Sequence, residues 1–327
     1  MNITPMQGRL YQPVPEYEDH LFSELKITEP GDGLSPIGNI LFHKPDDSGT
    51  ETPVFWQQNC WLKPFRLEFA SINEAADALR DIQRNWACLP FTQFRRAALI
   101  SSKLPPVSAK PRPFPWLLGD SPMGAWTLLD KNTMIASALC SSPFPNGAIE
   151  FAQDREGPPS RAYLKLWESL VRLRRWPKDG ERCLDAGASP GGWTWALARL
   201  GANVLAVDRA PLEPGIASLP GVEYMRHDAF TLKPEDIGPV DWLFCDVACY
   251  PPRLYEWIEK WLASGLCKNF VCTIKMQGDI APGGAHELDF ETPRRFAAIP
   301  DSAVVHLYNN KHELTWMKTC AAQETPL

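Results

Sequence analysis

From about residue 160 onward the chain alternates short apolar runs with longer amphipathic ones, and this alternation constrains its architecture more than any other feature. CLDAGA, ANVLAVD, EYMRHDA, VDWLFCDV and NFVCTIK read as strands, while PSRAYLKLWESLVRLRRW, WTWALARLG and RLYEWIEKWLASG read as helices. Strands joined through helices cannot meet as hairpins, so they pair side by side in a parallel, doubly wound sheet. AVVHLYNNKHELTWMKT is two strand-like runs around an Asn-Asn turn, so the last strand is expected to run antiparallel to its neighbour. The expected fold class is α/β: a Rossmann-like domain over 155–327 with a mostly parallel sheet, preceded by a smaller α/β N-terminal domain.

Charge and proline content divide the first half. Residues 1–51 hold three Lys/Arg and nine Asp/Glu, which accounts for the whole net charge of −6. Residues 1–52 are therefore expected to be an acidic, partly extended leader. Over 53–150, the strand FRLEF is followed by SINEAADALRDIQRNW, where Ser71 is placed to cap a helix and Glu74 sits at the capping-box position. This segment is expected to be a compact α/β domain. No run approaches ~18 uninterrupted apolar residues, and the first residues lack both a basic region and an apolar core, so neither a membrane span nor a secretory signal is expected. Nine cysteines without a CxxC pair point to a reducing cytoplasm. The spacings of Cys245/Cys249 and Cys267/Cys272 match no common zinc pattern, so no metal is expected.

The ligand of such a sheet lies at the carboxyl ends of its strands, where the winding reverses. The first turn there is Gly187-Ala188-Ser189-Pro190-Gly191-Gly192. Ser189 occupies the place where a dinucleotide fingerprint has its second glycine, and no GK[ST] follows, so pyrophosphate and P-loop ligands are disfavoured. Asp185 enters the turn, Asp208 ends the second strand where two ribose hydroxyls would lie, and Asp228 ends the third, within reach of an adenine amino group. An adenosine carrying an amino acid suits this set better than NAD does.

DAGASPGGWTW resembles motif I of the FtsJ-type ribose 2′-O-methyltransferases, D-x-G-x-x-P-G-G-[WF], and the resemblance covers roughly 158–319. It implies a class I methyltransferase domain and S-adenosylmethionine as cofactor, held by Asp185, Gly187, Ser189, Pro190, Gly191, Gly192, Trp193, Asp208, Asp228 and Asp246. It also implies a catalytic Lys-Asp-Lys-Glu tetrad, matched here by Lys165, Asp246, Lys275 and Glu313. A 2′-hydroxyl needs its proton removed, and a lysine becomes a base when burial and a second ammonium destabilise its charge, while two interspersed carboxylates keep the cluster near neutral and orient each amine. PPSRAYLKLWE, GASPGGWTWAL, WLASGLCKNFVCTIK and LYNNKHELTW are similar to the RlmM-like branch, which implies a cytidine of 23S rRNA as substrate. Members of that branch usually carry an N-terminal THUMP-containing region, and 53–150 shows no motif of it.

Residues 84–112 hold six bases and no acid, interleaved with Trp86, Phe91 and Phe94; phosphate neutralisation with base stacking asks for that mixture. Arg95 and Arg96 there, with Arg161, Arg172, Arg174 and Arg175 beside Lys165, are the expected RNA contacts. Two alternatives stay open: a base-modifying RNA methyltransferase, since Cys249-Tyr250-Pro251-Pro252 superficially resembles the proline-rich motif of amino methyltransferases, and a non-catalytic RNA-binding protein on the same fold.

Overall fold

Residues 1–25, 35–38, 41–44, 53–108, 110–278 and 288–320 are described by a computed structural model of the chain. They divide into two units, Met1–Arg112 with Leu118–Glu150, and Pro113–Leu117 with Phe151–Leu327.

The first unit opens with β1 (Asn2–Pro5), β2 (Arg9–Pro13), α1 (Glu18–Glu24), β3 (Ser35–Ile37) and β4 (Leu41–Lys44). It continues with β5 (Gln57–Trp61), β6 (Pro64–Glu68), α2 (Ile72–Ile82), β7 (Trp86–Cys88), α3 (Phe94–Ser101), β8 (Gly124–Leu128) and β9 (Thr133–Ser137). Its sheets run β1-β6-β9-β8-β7 and β3-β4-β2-β5. Alternation along β8 and β9 builds two cores: Trp126, Leu128, Met134 and Ala136 pack with Ala75, Leu79 and Ile100 of the helices, while Ala125 and Ile135 pack with Leu10 and Trp61. At the head of α2 the expected Ser71 cap forms, with Glu74 N donating to Ser71 Oγ (3.2 Å), while the Glu74 carboxylate reaches one residue before the cap and accepts from Ala70 N (2.7 Å).

The extended leader expected over 1–52 is corrected where it is described. β1 pairs along β6, and β2 pairs with both β4 and β5. Glu24, 6% exposed, accepts from Phe55 N (2.9 and 2.8 Å) and from Trp56 N (3.0 Å). Acidic composition suggested solvation, but here one carboxylate caps buried backbone donors that would otherwise cost free energy. Of the leader's nine acidic residues, five (Glu29, Asp32, Asp46, Asp47 and Glu51) lie outside the described residues.

The second unit contains α4 (Tyr163–Arg172), β10 (Arg182–Ala186), α5 (Gly192–Ala198), β11 (Asn203–Asp208), α6 (Pro214–Ala217), β12 (Val222–Arg226), α7 (Pro234–Ile237) and β13 (Val240–Cys245). After these come α8 (Pro251–Ser264), β14 (Cys267–Lys275), α9 (Glu291–Ala297), β15 (Ser302–Val305) and β16 (Glu313–Lys318). The sheet order is β12-β11-β10-β13-β14-β16-β15, with the first five strands parallel and β16 antiparallel to both neighbours. The mostly parallel Rossmann-like sheet with an antiparallel last strand is therefore present. Helices α5 and α8 make the crossovers; Pro251 opens α8, and Gly265, at φ 67°, closes it. Winding reverses between β10 and β13, so their carboxyl ends splay and leave a crevice at one edge of the sheet. Among the described residues no helix is long and apolar enough to cross a membrane.

Candidate active site

The turn after β10 is pressed against the turn after β13. Gly187 has φ 80°, and a Cβ there would stand 2.6 Å from Val247 Cγ2 and 2.9 Å from Val247 N. Gly191 has φ 120°, and its Cβ would meet Ile216 Cγ2 at 2.7 Å. Both positions require glycine twice over, for backbone conformation and for space. The turn is tied to β11 by Asp208, whose Oδ2 accepts from Ser189 N (3.0 Å) and Oδ1 from Ala210 N (2.9 Å). Asp208 and Gly187 share a cleft with Val207, Asp228, Phe230 and Val247.

Asp228 caps the turn at 229–231 by accepting from Phe230 N (3.1 Å), and Arg209 and Arg253 both reach its Oδ2, the latter at 3.5 Å. Burial raises its pKa, but the Arg209 hydrogen bond and the Phe230 N–H outweigh that and hold the carboxyl below its usual range. Arg253 lies 4.7 Å over the Phe230 ring. Phe230, Val247, Arg209 and Arg253 escaped the sequence reading because nothing local distinguishes them from ordinary turn residues.

Asp185, 1% exposed, lies beneath the turn. Its Oδ2 accepts from Thr194 Oγ1 at 2.6 Å, while its Oδ1 is buried with no partner. Burial pushes its pKa from 3.8 up to about 7, with the Thr194 bond opposing and the charges of Asp246 and Asp208 adding. The folded state thus keeps a proton that the unfolded chain releases near pH 3.8, and stability is lost as pH rises from there to about 7. Asp185→Asn is expected to remove that slope, at most about 1.4 kcal/mol per pH unit. Thermal melting of both proteins across this window checks it; parallel curves would show that Asp185 is ionised throughout.

The four residues singled out for a tetrad come together at the same edge. α4 carries Lys165, Asp246 follows β13, and Lys275 ends β14 directly opposite Glu313 at the start of β16. Lys165 Nζ reaches Asp246 at 3.2 and 3.0 Å and Glu313 Oε1 at 2.9 Å. Lys275 Nζ reaches Asp246 Oδ1 and Glu313 Oε2, each at 2.6 Å. Each carboxylate bridges both amines, closing a ring of two positive and two negative charges. The Lys275 side chain is 23% exposed against 9% for Lys165, so it is the more open amine. Burial lowers the Lys275 pKa, but Asp246 and Glu313 together outweigh it and raise it above the usual lysine range. Asp246 is pushed up by burial and, on balance, held low by Lys165 and Lys275. The two carboxylates expected among the lysines stand there, one on either side; what is corrected is the destabilised ammonium at Lys275, where their pull outweighs burial. Nearby, buried His306 donates from Nε2 to Lys311 O (2.9 Å); burial lowers its pKa to about 4 and keeps a third positive charge away.

Other expected site residues are placed elsewhere. Trp193, 3% exposed, donates to Ala162 O (2.9 Å), and its ring lies 6.0 Å from Lys165 Nζ, so it backs the tetrad rather than the cleft. Arg172 is bonded to Glu168 at 3.0 and 2.9 Å, and fully buried Glu168 also accepts from Tyr308 N (2.9 Å). Arg172 is therefore a structural partner, not an exposed RNA contact. Arg175 donates to Cys320 O (3.4 Å) and lies 5.7 Å over Trp242. Arg96 lies 5.6 Å over Phe69, whereas Arg95, Arg161 and Arg174 are exposed.

Residues 158–281 match the model of the FtsJ-like methyltransferase family. The protein named ribosomal RNA large subunit methyltransferase M from Azoarcus sp. (strain BH72) is 32% identical over 182 residues, covering 53% of this chain and 49% of that one. Its namesake in Halorhodospira halophila (strain DSM 244 / SL1) is 40% identical over 136 residues, 41% of this chain and 39% of that one. The chain thus spans about half the length, or less, of these curated relatives. The namesake in Xanthomonas campestris pv. campestris (strain B100) is 30% identical over 265 residues, with 78% of this chain and 67% of that one covered. At that span and identity, with the FtsJ-like match running from α4 through β14 and so over Lys165, Asp246 and Lys275, this chain belongs to the ribosomal RNA large subunit methyltransferase M family.

Proposed function

We propose that the chain transfers a methyl group from S-adenosylmethionine to a ribose 2′-hydroxyl of RNA, that of a cytidine in 23S ribosomal RNA. The observation that carries this reading is the closed Lys165–Asp246–Lys275–Glu313 ring at the edge of the sheet where the glycine turn opens. The cofactor fits the residues present. Asp208, oriented by two backbone donors, suits ribose hydroxyls; Phe230 and Asp228 suit an adenine; and the orphan oxygen of Asp185 favours a cationic amine near the turn. When bound, it supplies an electrophilic methyl on a sulfonium, which leaves this chain the tasks of orienting and deprotonating the hydroxyl.

Lys275, the more open amine, is the base in this reading. It rests as an ammonium, so its service begins with loss of a proton to solvent. Asp246 and Glu313 then orient the neutral amine and stabilise the ammonium that returns when the hydroxyl proton arrives. Lys165, bonded to the same carboxylates, fixes them. Exposed Arg95, Arg161 and Arg174 suit RNA phosphates. A ribosomal RNA substrate puts the protein in the cytoplasm, in keeping with nine free cysteines.

The test is a map of ribose methylation in RNA from cells with and without the gene. One large-subunit site is expected to lose its alkali-stable dinucleotide when the gene is absent. Unchanged ribose marks with a lost base modification would favour the base-modifying alternative instead.

A further inference from the structure

Most aromatic side chains of the second unit are packed inward, and two are not. Tyr250 is 64% exposed and Tyr308 is 44% exposed; among the described residues of that unit, Leu117 is the one other large apolar side chain so open. Neither tyrosine sits on a floppy support. Tyr250, four residues past Asp246, precedes α8, and its carbonyl accepts from Arg253 N (3.1 Å) and Leu254 N (3.3 Å). Tyr308, five residues before Glu313, donates its backbone N–H to buried Glu168, beside fully buried Leu307. Register puts both on the tetrad's edge. The 246–250 turn leaves the carboxyl end of β13, and the 306–312 turn enters β16 where Glu313 faces Lys275 on β14.

We infer that Tyr250 and Tyr308 form a stacking subsite for RNA bases flanking the nucleotide that is methylated. This rests on the proposed function and specifies how its substrate is held. An aromatic ring on a fixed backbone offers a face on which any base can stack at little entropic cost. Exposed Arg253 and Lys311 suit phosphates, and half-buried Asn309 suits a base edge. A protein partner would call for one contiguous apolar patch; Tyr308 stands instead beside Asn309, Asn310 and Lys311, and Tyr250 is followed within three residues by exposed Arg253.

The test uses the full chain with Tyr250→Ala, Tyr308→Ala and the corresponding Phe variants, each checked for unaltered melting. The first probe is a short single-stranded RNA containing 2-aminopurine, read by fluorescence quenching. The second is ribosomal RNA from cells lacking the gene, read by methyl transfer. Each Ala variant is expected to weaken RNA affinity and raise the KM for RNA by roughly 5- to 150-fold, the range of one lost base stack. Both should lose quenching and keep kcat at saturating RNA and the affinity for S-adenosylmethionine. Phe variants should stay within about twofold of wild type, because stacking needs the ring and not the hydroxyl. Ala variants with wild-type affinity and quenching overturn the inference, as do Phe variants as weak as Ala, or a defect confined to a protein partner. Should the wild-type protein transfer no methyl group to any RNA, the proposed function fails, while the quenching measurement still decides the stacking.

Discussion

Lys275→Ala is expected to abolish methyl transfer while leaving S-adenosylmethionine affinity nearly intact, since the side chain belongs to the tetrad and not to the cofactor cleft. General-base losses run to roughly 10²–10⁴-fold, and a misplaced ribose adds to that. Lys275→Arg separates two roles. A guanidinium keeps the charge and can still bridge Asp246 and Glu313, but it does not give up its proton near neutral pH. If Lys275 is the base, Arg is as inactive as Ala; near-normal turnover by a folded Arg variant passes the role to Lys165. The raised Lys275 pKa adds a signature. Below that pKa the neutral amine gains tenfold per pH unit, so kcat should climb with pH through the neutral range and into the alkaline. A pH-independent kcat, with chemistry shown to be rate-limiting, removes the base assignment.

Arg172→Ala is expected to cost about 3–5 kcal/mol of stability, the scale for stripping a buried charge of its partner. Glu168 is fully buried, and its carboxyl is pushed up by burial against the opposing pull of Arg172. Without the guanidinium it must take up a proton or stay charged in an apolar setting. Arg172→Met with Glu168→Gln should recover much of the loss, because the paired deletion leaves no stranded charge. Denaturant unfolding of wild type and the two variants checks this. A single mutant as stable as wild type would mean that Glu168 is adequately held by backbone donors such as Tyr308 N.

The parts of this protein legible in its sequence were those with a local signature. Strand–helix alternation was written in apolar runs, the glycine turn in its residue types, and the N-cap of α2 in Ser71. The tetrad residues could be picked out because each has a fixed place, three next to strand ends and one on a helix, and the resemblance supplied which ends to look at. What escaped depends on partners far along the chain. Glu24 folds the leader through Phe55, 31 residues on, and Tyr308, 140 residues from Glu168, shares that acid with Arg172. Composition had no means of telling these buried pairs from solvated charges. The Lys275 pKa escaped for a similar reason: its sign is a balance of burial against two carboxylates, and residue types alone carry no distances.

The place of β16, inserted between β14 and β15, also sets an order of events as the polypeptide leaves the ribosome. Cofactor-cleft ties are short in sequence, 19 residues from Ser189 to Asp208 and 25 from Asp228 to Arg253. The tie from Lys165 to Glu313 spans 148 residues, and longer loops close at greater entropic cost and more slowly. A nascent chain stalled after α8 would already contain every residue that lines the cleft. It would lack Lys275 and Glu313, and Lys165 and Asp246 would face each other as an incomplete pair. The ring of four charges therefore cannot close until β16, the last strand in chain order, has been made and stands antiparallel between β14 and β15.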